Sequence, residues 1–229
     1  MDDPFMARLR ATLIEAEAER AAAALDDPET ALQRAALASA KAERNAIMWD
    51  RLADHQAQWE RGEAAEAKVL EAERAFAAAQ GRPYAVPEDF PLAWQMGAPL
   101  PTLLQCDNRA RLFFLLERDR GHVGVVTFDR CLSTCFGDPG EESIGRHPLF
   151  GSGLDCITAS QVIGSPWIAE LRRIDSRHQY HDPAVYDQAR HYILPFHDTM
   201  FECVAWSYSA VKVRGQLHTV IKKAVDRLI

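Results

Sequence analysis

The sequence has no uninterrupted apolar run of about 18 residues, the length a membrane-spanning helix needs, so no membrane is expected among its partners. It has no GxxxxGK followed by Ser or Thr and no GxGxxG, and it has no GxSxG nucleophile elbow. Nucleotide-dependent and α/β-hydrolase chemistry are therefore not expected; Gly151-Ser152-Gly153 is too short to cradle a phosphate. There is no basic excess either. With 26 Lys and Arg against 33 Asp and Glu, the net charge is −7, which speaks against bulk nucleic-acid binding. The start, Met1-Asp2-Asp3-Pro4, is acidic and lacks the basic segment and apolar core of a secretion signal; a cytoplasmic location is the expectation. The cysteines are few and odd in number: Cys106, Cys131, Cys135, Cys156 and Cys203. Free, mostly buried thiols are expected rather than a disulfide framework.

Glycine and proline are almost missing from residues 1–80, where only Gly62, Pro4 and Pro28 occur. Alanine supplies 25 of these 80 residues, with 16 acidic and 10 basic side chains. Ala, Glu, Arg and Leu are strong helix formers. Phe5, Leu9, Leu13 and Ala16 begin a helical stripe that ends near Leu25. Asp26-Asp27-Pro28-Glu29 is a stop-and-start signal, with Asp27 as cap and Pro28 in the first turn. A second helix is expected from Pro28 through Trp59 and, weakened at Gly62, on to about Gln80. A short loop between helices favours an antiparallel hairpin. The heptad pattern is irregular, so residues 1–80 read as a coiled-coil-like helical arm without a strict seam.

Residues 81–101 hold five prolines, which exclude a continuous helix or a central strand. They also carry Tyr84, Phe90, Leu92 and Trp94. So many large apolar groups mark a packed segment rather than a free linker. From 102 to 229 the pattern changes to that of an α+β domain. Thr102–Gln105, Arg111–Leu116 and Val123–Phe128 read as an antiparallel meander, turned at Asp107-Asn108 and near Gly121. Ser165-Pro166-Trp167 opens a helix, Asp182-Pro183 a shorter one, and Gln216–Leu228 is amphipathic. The fold expected is α+β: a long helical hairpin, then an antiparallel sheet of about five strands with two or three packed helices.

Residues 191–208 carry the densest chemistry. Two strand-like runs flank a polar centre and predict a hairpin. With the turn at Thr199-Met200, His197 faces Glu202 and Phe196 faces Cys203, and His191 lies on the face of His197. This makes His197, Asp198, Glu202 and His147 the candidate catalytic residues, with a histidine and a carboxylate as general acid and base. His191, His197 and Glu202 form a candidate metal set, although their spacing matches no standard motif and no cofactor is assigned. The plain alternative is that Asp198 caps a tight turn while His197 pairs with Glu202 across the strands. Cys203 with His197 or His147 could form a nucleophilic pair, against which stands a buried core thiol. Cys131 and Cys135 with His178 and His181 could hold zinc, although that ligand order is unusual. Lys212, Arg214, Lys222, Lys223 and Arg227 cluster towards the C-terminal end, and the basic outer face of the last helix could meet the acidic N-terminal helices of this chain or a partner; the plain alternative is a solvated face.

Two functions follow as expectations. The first is a protein-binding, assembly or regulatory protein, an immunity- or defence-accessory role included, in which residues 5–80 bind another protein or a second copy. The second is a small metal-dependent or His/carboxylate enzyme with its site at the 191–202 hairpin.

Overall fold

The structure is a computed structural model that describes residues 28–48 and 55–227. The helix expected over 5–25 lies outside the described residues. The chain divides into two compact units that do not follow chain order.

The smaller unit holds the described residues up to Val86, with 148–154 and 163–166. It contains α1 (Pro28–Met48) and α2 (His55–Ala79). Where one long helix is expected from Pro28, there are two, and Gly62 sits inside α2 without ending it. A single glycine costs a helix only about 1 kcal/mol relative to alanine. Folding back instead buries a stripe on each half. Ala65, Val69, Glu73 and Ala77 of α2 are buried at steps of four residues, and α1 buries Thr30 and Leu37. Ion pairs fix the direction: Lys41 with Glu73 at 3.3 Å, Arg44 with Glu66 at 3.2 Å and Lys68 with Glu43 at 2.6 Å. Positions rise along α1 as they fall along α2, so the pair is antiparallel.

The loop 148–154 is held against α2 and β1 (Tyr84–Pro87). The Gly153 N–H donates to Glu73 Oε2 at 3.2 Å, and the Ala85 N–H donates to Ser152 O at 2.9 Å. Arg74 Nε donates to Ala85 O at 2.9 Å. Gly153 has φ +82°, and a Cβ there would meet Arg74 Cγ at 2.3 Å and Ala85 O at 2.8 Å. Only glycine satisfies both the positive φ and the close approach.

The larger unit holds 87–147, 155–162 and the described residues from 167 on. The expected meander is present as β2 (Thr102–Cys106), β3 (Arg109–Leu116) and β4 (Asp119–Asp129), with consecutive strands paired antiparallel. The remaining strands are β5 (Ser133–Gly137), β6 (Ser160–Ile163), β7 (Arg190–Pro195), β8 (Met200–Ala205) and β9 (Ser207–Arg214). The fold is α+β as expected, and its strands divide between a five-stranded and a four-stranded sheet. Within this unit the first runs β6-β7-β8-β5 and the second β2-β3-β4-β9. The helices are α3 (Pro166–Asp175), the single turn α4 (Ala184–Asp187) and α5 (Leu217–Val225), with a 3₁₀ helix at Glu141–Arg146.

The core lies between the two sheets. Leu112, Phe114 and Phe128 meet Tyr192, Leu194, Phe196 and Phe201, and Leu92 and Trp94 of the proline-rich segment close one side. Trp94 and Phe196 have ring centroids 5.1 Å apart, and Phe128 and Phe201 5.2 Å. Phe113, Val123 and Val125 point the other way, onto Val220 and Ala224 of α5. β3 is thus buried on both faces, which is why it reads as a nearly continuous apolar run rather than an alternating one.

Candidate functional site

β7 and β8 form the hairpin that the sequence predicts, in a different register. The Phe196 N–H donates to Thr199 O at 2.8 Å, so His197 and Asp198 occupy the centre of the turn. Pro195 pairs with Met200, Ile193 with Glu202 and His191 with Val204. The expected partner of Glu202, His197, is therefore replaced by Ile193, four residues earlier. An even slip preserves faces. Tyr192, Leu194 and Phe196 still share the core with Cys203 and Ala205, and His191 still shares a face with Glu202. Asp and Asn suit turn centres, and Thr199 Oγ1 donates to Gly137 O at 2.9 Å, which anchors the turn to the end of β5.

Three of the candidate residues come together. Glu202 lies between two imidazoles, with His191 Nε2 2.9 Å from Oε2 and His147 Nε2 3.4 Å from Oε1. His147 is brought there by the 3₁₀ helix, whose last turn it closes by donating its N–H to Ile144 O at 2.8 Å. The Trp167 ring stands edge-on to His191, with centroids 5.1 Å apart. The side chains of His147, His191 and Glu202 are only 4%, 7% and 7% exposed. Burial alone would push the Glu202 carboxyl up; the charge and hydrogen bonds of His147 and His191 overcome it and hold the group below the ordinary carboxylate range.

His197 and Asp198 stand outside this network and pair with each other, His197 Nδ1 to Asp198 Oδ1 at 2.9 Å. The hydrogen bond and charge of Asp198 raise His197 above its usual value. Asp198 is 87% exposed, so this pair sits on an open turn. The metal set His191, His197 and Glu202 is thus not assembled as such: His147 takes the place expected of His197. Each imidazole nitrogen points at its own carboxylate oxygen, not at a shared point. Among the described residues no group of three His, Cys, Asp or Glu is arranged to hold a metal.

The cysteine readings also change. Cys203 is fully buried, and burial with the neighbouring Cys131 thiol pushes it well above the ordinary thiol range. A protonated core thiol is no nucleophile. Cys131 is buried in the same core, so it is not available beside His178 and His181 as a zinc ligand. His181 Nδ1 instead meets Asp175 Oδ2 at 2.8 Å. Two features escape sequence reasoning. Cys135 lies directly opposite Glu202 in the β5–β8 ladder, a juxtaposition that no local pattern encodes. A groove of about 180 Å³ at the β2–β3 turn is lined by Leu104, Cys106, Asp107, Asn108, Arg109 and Arg111; its only sequence signal is the Asp107-Asn108 turn.

Comparison of the chain with protein-family models, curated proteins and solved structures returns no match.

Proposed function

We propose that this chain is a protein-binding assembly or regulatory protein that holds another polypeptide along helix α1. The observation that carries this reading is the outward face of α1. Ala31, Leu32, Ala35, Ala38 and Ala42 are all exposed, Leu32 by 63%, where a free-standing surface helix would carry charge. Residues at these spacings share one side of a helix, and alanine lets a second helix approach closely. Among the described residues the buried apolar groups of the α1–α2 pair are few, Leu37, Ala65, Val69 and Ala77, so a further helix on α1 would add to a thin core.

The enzyme reading is less well supported, because the polar atoms of His147, His191 and Glu202 that meet are directed at one another beneath the surface, and His197 with Asp198 lies on an open turn.

The test is Ala38→Glu, a substitution on the exposed face. Native mass spectrometry of the untagged protein from its own cells should show a second polypeptide in stoichiometric amount, and Ala38→Glu should lose it with an unchanged circular dichroism spectrum. Retention of the same partner by the variant would overturn the reading.

A further inference from the structure

Strand β9 is the outermost of its sheet. It pairs only with β4, in an unbroken register from Ser207 opposite Asp129 to Arg214 opposite His122. An edge strand turns half of its N–H and C=O groups away from its one neighbour. Among the described residues, nothing hydrogen-bonds to the backbone of β9 on that outer side. Edges of this kind are normally blunted by shortness, proline, bulges or projecting charge. β9 is eight residues long and has no proline, glycine or bulge. Its two cations are Lys212, half-exposed with Nζ 3.6 Å from Asp119 Oδ2 of the neighbouring strand, and Arg214 at its last position. Val211, at mid-strand, is 53% exposed. The opposite edge, β2, is guarded: it has five residues, with Pro99 and Pro101 just before it.

We propose that β9 is the seam of a homodimer, pairing antiparallel with β9 of a second copy, Val211 opposite the second copy's Val211, so that two four-stranded sheets become one of eight strands. The charge pattern selects both orientation and occupant. Parallel pairing would set Lys212 and Arg214 beside their own counterparts, a like-charge arrangement that destabilises a ladder. Antiparallel pairing sets Lys212 opposite Ala210 and Arg214 opposite Tyr208. The Tyr208 hydroxyl donates to Glu88 Oε1 at 3.2 Å, so Arg214 of each copy would arrive next to an acidic group of the other. No two cations are directly opposed in this antiparallel seam; the two Lys212 side chains meet only diagonally, each with Asp119 of its own chain as counter-ion. This seam is independent of the α1 reading.

The test uses the full-length protein. Sedimentation velocity should give the mass of a dimer, and Val211→Lys should weaken association by about tenfold or more while the circular dichroism spectrum stays unchanged. Directly opposed residues of antiparallel strands have Cα atoms about 4.5–5.5 Å apart, within disulfide range. Val211→Cys should therefore link the two copies under mild oxidation, by an intermolecular disulfide between the two substituted positions, seen as a linked peptide. Ser209→Cys, which faces Val213 of the other copy, should form far less. A monomeric wild type would overturn the proposal. So would a dimer that survives Val211→Lys, whether or not Ala38→Glu dissociates it.

Discussion

Glu202 keeps a charge inside the core because both of its oxygens are met, one by His147 and one by His191. The two histidines therefore tie two further stretches of chain, the end of the 3₁₀ helix and strand β7, to the carboxylate of β8. Removing one member of a buried, hydrogen-bonded set typically costs about 3–5 kcal/mol, and Glu202→Gln should fall near the lower end because the amide can still accept one hydrogen bond. The pH dependence follows from the direction of the shift. A carboxyl held low in the folded state adds stability that is fully present above its unfolded value of about 4.3 and is lost as pH falls through the folded value. Urea midpoints of wild type and Glu202→Gln should thus differ by a constant amount above about pH 5 and begin to converge only as pH falls below about 4 towards the lowered folded value. A difference that stays constant through that fall as well would show that the carboxylate's charge is not what the site stabilises. Each of these residues stands out in the sequence by its chemistry; their grouping does not. His147 reaches Glu202 only because the 3₁₀ helix ends where it does, and His197, nearer in sequence, is turned away into the hairpin turn.

At the scale of elements, what could be read depended on whether the signal was local. The meander was legible because Leu112–Leu116 of β3 are an unbroken apolar run and Asp107-Asn108 marks a turn. The hairpin was legible, but its register was not: the choice between turns at 197–198 and 199–200 rests on the Thr199 anchor to Gly137, which belongs to another strand. The division of the long helix into α1 and α2 carries no Gly or Pro signal in residues 49–54; it follows from the pairing of two buried stripes. One pairing inside the core makes a direct prediction. Phe114 lies opposite Gly124, and a Cβ on Gly124 would sit 2.4 Å from the Phe114 ring. Gly124→Ala should cost about 1–3 kcal/mol, as overpacking of a filled core does, visible as a lower urea midpoint. An unchanged midpoint would mean that the ring has room to move. The loop 148–154 offers a second check. Glu73→Ala removes the acceptor of the Gly153 N–H; a hydrogen bond to a charged group contributes about 1.5–3 kcal/mol, so exchange of the Gly153 amide should accelerate by about tenfold or more. Amides of β7 and β8 should not respond. A Gly153 rate matching wild type would remove Glu73 from the role described.

For the molecule as a whole, the smaller unit is assembled from three stretches of chain, its helical pair, the loop 148–154 and residues 163–166. The acceptor Glu73 and the donor Gly153 are 80 residues apart. On a ribosome adding about 5–20 residues per second, α2 is complete about 4–15 s before Gly153 is added. Through this interval the Glu73 carboxylate has Lys41, 3.3 Å away in the finished structure, as a counter-ion within the already synthesised hairpin, while its second oxygen waits for the Gly153 amide. The pairing of α1 with α2 can thus precede the last clasp, and a chain released early would carry a hairpin whose outward face is formed but whose floor is still open.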